Sequence, residues 1–478
     1  MIPSPRALRA FVAAHWLFLV LLAAGAALRV VTMLGYRWVM WFPDSFEYLK
    51  GALHPQPSPA RPAGYSFVLW MLGPFKSVEL VIVLQHLLGL GIAVAIYVLL
   101  NKRFGVPWWG ASLASAPALL DAYTIQLEHM LMSDTLFIAL LMGAVTLVLW
   151  KKVPGPGAAA GAGLLLAMAT LTRSVGLPLV ILLLGYLVVR RAGWRAVGVA
   201  LVAAAVPLAL YAAWFQSFHD KYALTNSSGI FLYARAMTFA DCDEFEPTIQ
   251  QLPMCPILPP EKRPANHYYV WNSEAVLRSS PDLPPWFSKE QEKVAGDFGK
   301  RAIMGQPKAY FQAVWDELSL NWEWERPVFP DKNTYDYYEF GKREEPLPNF
   351  TPIKVTQYDP GRAQTRIVEP YAGFMRDYQD HIYLRGRLLT GILAVGLVAV
   401  VMSWRRWGGP ALLPFSAALA MTVLPPMTVM FDYRYQPPVI PLACLAAALA
   451  FPLSTRRAEK DGRIRPKEPA RVPDLSRR

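Results

Sequence analysis

Charged side chains are scarce through long stretches of this chain. Asp, Glu, Lys and Arg make up 17% of its 478 residues against 54% hydrophobic, and the mean hydropathy is +0.26. That balance excludes an ordinary soluble globular domain. Acids are the scarcer sign, 35 against 47 Lys and Arg, for a net charge of +12. Such an excess can mark a nucleic-acid binder, but its placement argues otherwise. The short loops carrying Lys102-Arg103, Lys151-Lys152, Arg190-Arg191 with Arg195, and Arg405-Arg406 have no acid at all, whereas the loops of opposite parity hold Asp44, Glu47, Asp121, Glu128 and Asp134. Histidine is also sparse, and only His86 falls far from a loop. A membrane-bound O-acyltransferase, which wants a histidine deep in its bundle, is disfavoured, and His86 reads as a satisfied core residue. No half of the sequence repeats the other, which speaks against an inverted-repeat transporter. Of three cysteines, Cys444 lies in the last apolar block, leaving Cys242 and Cys255 to pair in an oxidising compartment.

The apolar residues come in blocks close to the roughly 20 residues that a membrane helix needs. They are 11–34, 78–100, 106–120, 133–150, 158–171, 174–189, 196–215, 388–404, 411–431 and 437–453. Ten crossings satisfy every loop by the positive-inside rule, with both termini cytoplasmic and the loop at Asp44 outside. A re-entrant hairpin over 158–189 would leave all other sides unchanged. The first run continues past Arg29 to Leu34, longer than the core of a signal peptide, so it is read as a crossing. The expected fold class is an all-α polytopic membrane protein of about ten transmembrane helices with an extracytoplasmic α-rich insert. Its parts are an N-terminal membrane module (1–215) with its first outer loop at 35–77, the insert (216–385), the C-terminal membrane helices (386–453) and a basic, disordered cytoplasmic tail (454–478). Abundant Ala, Arg and Pro suggest a GC-rich bacterial genome, hence the bacterial inner membrane.

Between the first two crossings, Trp41-Phe-Pro-Asp44-Ser-Phe-Glu47-Tyr48 reads as a helix entered through Pro43. The spacing of Asp44 and Glu47 places both acids on one face, and it also matches a capping box. Charge against a bilayer is costly and usually has a function, which favours a catalytic reading. Arg61-Pro-Ala-Gly-Tyr65 leads into a second short helix and directs Arg61 back toward the acids, either as a phosphate clamp or as an interfacial arginine on lipid headgroups. Glu128 and Asp134 lie in a short outer segment and are candidates, with Asp44, for holding the acceptor or a divalent cation, Mg²⁺ or Mn²⁺. Ser133 suits a helix cap. Arg173, alone in a turn between two apolar blocks, asks for an anionic partner such as a lipid phosphate, or snorkels to headgroups. Arg434, in the last outer turn, is a further phosphate candidate, with pairing to Asp432 as the alternative. In the insert, Pro307 opens a helix whose apolar face, with the following Leu320–Arg326, suits a bilayer surface. Tyr335-Asp-Tyr-Tyr-Glu-Phe is either a sugar-stacking patch or a packed loop core.

Taken in order and sidedness, these motifs resemble the GT-C superfamily of polyprenyl-phosphate-sugar-dependent glycosyltransferases, which includes bacterial protein mannosyltransferases, aminoarabinose transferases and arabinofuranosyltransferases. The resemblance rests on Pro43-Asp44-Ser45 with Glu47-Tyr48, Arg61 to Tyr65, Glu128 with Ser133-Asp134, Thr172-Arg173, the helix from Pro307 to Trp315, and Arg434-Tyr435 with Pro437 and Pro441. It implies that Asp44 is a catalytic base in the first outer loop. It further implies an inverting transfer of a hexose or pentose from a polyprenyl-phosphate donor to a hydroxyl of an envelope glycan, lipid or protein, with Arg61, Arg173 and Arg434 on the donor phosphate. Many members place adjacent acids in this loop, whereas here Ser45 and Phe46 stand between Asp44 and Glu47. The rival reading is a transporter or flippase of a lipid-linked sugar, which would place charge deep within the crossings.

Overall fold

The computed structural model describes residues 5–451 apart from 345, 346, 348–350, 362, 363 and 407. The expected basic tail lies outside the described residues. Helices dominate, and a helix stands at each of the ten apolar blocks: α1 (Pro5–Gly35), then, after two short helices α2 (Pro43–Leu53) and α3 (Gly64–Leu72), α4 (Val78–Val98), α5 (Trp108–Leu120), the short α6 (Ala122–His129), α7 (Asp134–Leu149), α8 (Pro156–Thr172), α9 (Gly176–Val189) and α10 (Trp194–His219). The insert contributes α11 (Ser228–Ala236), α12 (Asn266–Trp271), α13 (Val276–Ser279), α14 (Lys289–Gly305), α15 (Pro307–Ser319), α16 (Lys332–Asp336), α17 (Thr351–Tyr358) and α18 (Tyr371–His381). The chain then re-enters the bundle as α19 (Gly386–Met402), α20 (Leu412–Thr428) and α21 (Gln436–Ala448). By length and composition four helices can cross a membrane (11–35, 78–103, 194–219 and 409–428), and α18 with α19, bent by 57°, makes a fifth if taken as one span. Helices α7, α8 and α9 are apolar but shorter, so among the described residues the expected ten crossings exceed the number of helices that meet the length.

One continuous core of Leu, Val, Ile and Ala side chains fills the bundle, including Phe18, Ile96, Phe137, Leu183, Ala418 and Leu442. Small residues let helices approach closely; a β-carbon at Gly163 of α8 would stand 2.3 Å from the carbonyl oxygen of Ala200 in α10. Three of the basic loops meet at one end, where Arg190 donates to the carbonyl of Lys152 at 3.3 Å and lies with Arg103 beside Tyr186. The opposite end carries α2, α3 and the insert. A second core forms there from Phe42, Tyr48, Leu49, Tyr65, Leu69, Leu131, Tyr338, Tyr358, Phe431 and Tyr433, so side chains from the first loop, the insert and the last turn share one apolar centre. Directly after α1, Tyr36 is buried: Tyr36–Arg37 (β1) pairs antiparallel with Arg366–Ile367 (β2), and the Tyr36 hydroxyl donates to the carbonyl of Gly341 at 3.0 Å.

The insert has its own core of Ile230, Tyr233, Phe298, Ala302, Tyr310 and Val314. Ser288 caps α14 by accepting from the Gln291 amide at 3.1 Å, and Pro307 opens α15 at its first turn. Tyr310 and Val314 of α15 face inward while Phe311 and Trp315 are exposed, so the apolar face read from the sequence is divided between the insert's own core and the surface. Cys242 and Cys255 form a disulfide with their Cα atoms 6.0 Å apart, closing the loop in front of α12. Neither of these two cysteines should react with a thiol reagent in the native protein until reductant is added; equal labelling with and without reductant would show that both thiols are free.

Candidate functional site

Helix α2 owes its start to Pro43 at the first turn and to Ser45, whose Oγ accepts from the Phe42 amide at 3.0 Å. Ser45 therefore does the capping, and Asp44 is released from it. The buried Asp44 carboxylate is held by two guanidinium groups: Arg61 Nη2 lies 2.7 Å from Oδ1 and Arg434 Nη1 lies 2.8 Å from Oδ2. Burial pushes the Asp44 carboxyl up, but Arg61 and Arg434, with Arg173 farther off, more than offset it and hold it below the ordinary carboxylate value. Each arginine is in turn steered by aromatic rings. The Arg61 guanidinium sits 5.1 Å from the Trp271 ring of the insert and 5.9 Å from Tyr48, and that of Arg434 sits 5.3 Å from Phe42, all within cation–π range.

Arg173 ends α8 and pairs with the buried Asp134 at the start of α7. Its guanidinium lies 5.2 Å from the Tyr435 ring, and that of Arg434 lies 5.5 Å from the same ring, so the two cations flank one tyrosine. Ser133 stands at the expected helix-cap position without a cap bond; its hydroxyl is 2.9 Å from that of Tyr48, which ties α2 to the start of α7. Gly64 matters here because a β-carbon would meet the Leu171 carbonyl oxygen at 2.4 Å; only glycine lets α3, and with it Arg61, settle against the turn that carries Arg173. Thus the structure brings together Asp44, Arg61, Arg173 and Arg434, with Asp134 beside them as the counter-charge that positions Arg173.

The other candidates stand apart. Glu47 is exposed while Asp44 is buried, so the two acids do not share a face. Glu128 is not near Asp44 but inside the bundle: Arg29 binds it through Nε at 2.7 Å and Nη2 at 2.6 Å, and His86 Nδ1 lies 2.9 Å from its Oε2. The remaining Arg29 donors reach the carbonyls of Gly25, Leu119 and Ala118, and His86 goes on to His129 at 3.0 Å. Gly89 makes the room, since a β-carbon there would overlap the Glu128 carboxylate. Arg29 was buried in the first apolar run and gave no sign that it had a partner ninety-nine residues away. A divalent cation does not fit Glu128 and Asp134: each is neutralised by its own arginine, and among the described residues no three His, Cys, Asp or Glu side chains gather as a metal site.

Two residues of the insert that sequence reasoning passed over complete the frame. Glu317 of α15 pairs with the buried Arg235, and its Oε2 accepts from the Phe431 amide at 2.6 Å, fixing the turn that presents Arg434. Burial pushes the Glu317 carboxyl up, against Arg235 and that amide, which both favour its charged form. Asp432 Oδ1 accepts from the Arg434 amide at 3.2 Å and shapes the same turn. The aromatic run 335–340 is packed core rather than an open patch, with Tyr338 and Phe340 buried.

No family model and no curated protein matches the sequence. Solved structures do. The archaeal oligosaccharyltransferase AglB from Archaeoglobus fulgidus, in complex with an inhibitory peptide and a dolichol-phosphate, is similar at TM-score 0.41 and 13% identity over 96% of this chain and 53% of that one. The apo form of the A. fulgidus oligosaccharyltransferase is similar at TM-score 0.41 and 11% identity over 93% of this chain and 51% of that one. ArnT from Cupriavidus metallidurans bound to undecaprenyl phosphate is similar at TM-score 0.33 and 15% identity over 93% of this chain and 79% of that one. The chain spans about half the length of the two oligosaccharyltransferases. All three TM-scores lie below 0.5, and the identities lie between 11% and 15%.

Three guanidinium groups offer more N–H donors than the Asp44 carboxylate takes up, so the site can bind a phosphate while keeping an ionised acid beside it. The Arg29–Glu128 pair, by contrast, has its donors and acceptors satisfied inside the bundle, and its role is structural. Arg29→Met should lower stability by about 3–5 kcal/mol by leaving a buried carboxylate unpaired, and the double variant with Glu128→Leu should recover most of the loss. Thermal unfolding of the four proteins of that cycle measures the coupling; additive losses would rule the pair out as a unit.

Proposed function

We propose that this chain is a multi-pass bacterial inner-membrane glycosyltransferase that moves a sugar, by inversion, from a polyprenyl-phosphate donor to a hydroxyl of an extracytoplasmic acceptor. The observation that carries this reading is the sharing of Asp44 between Arg61 and Arg434 at 2.7 and 2.8 Å, with Arg173 alongside, at the end of the bundle covered by the insert. A carboxylate alone is a candidate base and arginines alone are an anion site. Together they are the two halves of a displacement in which an alcohol loses a proton and a phosphate leaves.

In this mechanism the donor phosphate enters among Arg61, Arg173 and Arg434 and draws the first and last away from Asp44. The acceptor hydroxyl oxygen forms its bond to the anomeric carbon as the bond from that carbon to the phosphate oxygen breaks. Asp44 takes the hydroxyl proton, and the second negative charge appearing on the departing polyprenyl phosphate is offset by the guanidinium groups. Asp134 holds Arg173 in place, and Glu317 does the same for the turn bearing Arg434. Three of the basic loops fall at the far end from this site, which supports a cytoplasmic position for them and an outward one for the chemistry. A transporter of a lipid-linked sugar would share the arginines. It gains little from Arg29 and Glu128, which lie within the bundle but are closed on themselves and make no path.

The transferase reading is tested by incubating purified protein with a radiolabelled polyprenyl-phosphate sugar and crude membranes. Label should leave the lipid and appear in another molecule; label that only changes sides of a vesicle would indicate transport. Asp44→Asn should reduce transfer by at least a thousandfold. Because the native carboxylate competes with phosphate for the arginines, that variant should bind undecaprenyl phosphate as tightly as the native protein or more so; near-native turnover by it would remove Asp44 as the base. Withdrawal of Arg61 and Arg434 onto the phosphate removes what holds the Asp44 carboxyl low. The acid limb of kcat should therefore lie at higher pH than that of kcat/KM for the donor, and coincident limbs would show that these arginines do not move.

A further inference from the structure

Arg326 belongs to none of the interactions above. It follows the turn Leu320–Trp322 in a stretch whose composition suits the bilayer surface, yet its side chain turns inward. The guanidinium carbon lies 3.5 Å from the ring centre of Tyr123 and 3.8 Å from that of Tyr433, with the rings of Tyr335 and Tyr338 each 6.0 Å away. Two aromatic faces at that range stabilise a desolvated cation and leave only the edge of the guanidinium for hydrogen bonding. On that edge Nε and Nη1 are buried and meet no acceptor, and among the described residues no carboxylate comes within the 4.0 Å of an ion pair. Tyr123 does touch an acid, but donates to it, through a 3.0 Å bond to Glu339 Oε1.

The same opening reaches the active-site arginine. A small cleft is lined by Tyr123, Gln126, Arg326, Tyr338, Tyr433 and Arg434 among others; its enclosed part admits about one water-sized atom, enough for one oxygen of an acid group, and no acid is among its lining residues. Arg434 presents Nη1 to Asp44. Its Nε is buried without a hydrogen bond, 3.4 Å from Asp432 Oδ2. A buried charged N–H without an acceptor is costly, and Arg326 brings two of them to the cleft. A planar oxyanion satisfies such donors in their own plane.

We propose that the cleft between Arg326 and Arg434 binds the acid group of an acidic saccharide, a carboxylate or a phosphate monoester, and so forms the acceptor subsite. The word acceptor rests on the glycosyltransferase reading; the oxyanion site itself does not. The donor phosphate lies among Arg61, Arg173 and Arg434, so Arg434 stands between the two sites and Arg326 belongs to the cleft alone. A saccharide anchored at Arg326 instead lies one guanidinium group away from the base, where a neighbouring hydroxyl can reach Asp44.

The test uses the full chain in nanodiscs, with binding of methyl glucuronide, glucose 6-phosphate and neutral methyl glucoside followed by ligand-detected NMR or calorimetry. Both acids should bind saturably and the neutral sugar at least tenfold more weakly. Arg326→Gln should weaken both acids at least tenfold, Arg326→Lys should keep much of the affinity, and Arg61→Gln should leave it unchanged. Undecaprenyl phosphate binding retained by Arg326→Gln shows that the variant is folded. Equal binding of acid and neutral sugar, no saturable binding of either acid, or a loss caused by Arg61→Gln but not by Arg326→Gln would each overturn the proposal, the last by placing the oxyanion in the donor site. Acid binding that depends on Arg326 in a protein that never transfers label would keep this site and reject the glycosyltransferase reading.

Discussion

The carboxylate of Asp44 is the point through which distant parts of the chain are joined. It carries one unit of negative charge, and two guanidinium groups from positions 61 and 434 divide it while a third lies close by. Removed from water, none of these charges is stable alone, so each requires the others to be in place. Much of the architecture at this end can be understood as support for that arrangement: Ser45 frees Asp44 from capping, Gly64 lets Arg61 approach the turn of Arg173, Asp134 anchors that arginine, and Glu317 grips the turn of Arg434. The donors outnumber the acceptors around the carboxylate. In the proposed reaction that imbalance gives an incoming phosphate a reason to bind and gives Asp44 a way to change from a passive counter-ion to a base.

The insert is part of the site, not a cover laid over it. Trp271 contributes a ring beside Arg61, Glu317 holds the Phe431 amide, and Tyr338 and Phe431 enter the same apolar core as Phe42 and Tyr48. Arg326 extends the connection, because its tyrosine cage draws Tyr123 from the segment after α5, Tyr335 and Tyr338 from the insert, and Tyr433 from the last turn.

How much of this the sequence disclosed depended on the range of the interaction concerned. Apolar blocks and alternating basic loops are local, and the helices appeared where they were expected, although fewer of them reach the length of a span than were counted. Asp44, Arg61, Arg173 and Arg434 could be singled out because charge next to a bilayer is rare and each sits at the edge of an apolar run. The partners of Glu128 were not legible in the same way. Its acidic character was visible, but Arg29 lay concealed within a hydrophobic run and nothing local links the two. Glu47 misled for a related reason: spacing of three suggests a shared helix face, whereas the tilt of α2 against its core buries one acid and exposes the other. Arg326 read only as the end of a bilayer-surface stretch because four tyrosines, the outermost 310 residues apart, had to fold around it before its setting existed.

The division of one carboxylate between residues near the two ends of the chain has a consequence for biosynthesis. A polypeptide emerging from the ribosome exposes Asp44 early and Arg434 only when the final helix is being made. Until then the acid has part of its neutralising charge missing, and the nascent protein carries an incomplete pocket through most of its insertion. The site is thus complete only at the last step of manufacture, and a chain cut short before its final helix keeps the Arg61 contact on Asp44 but lacks the Arg434 one.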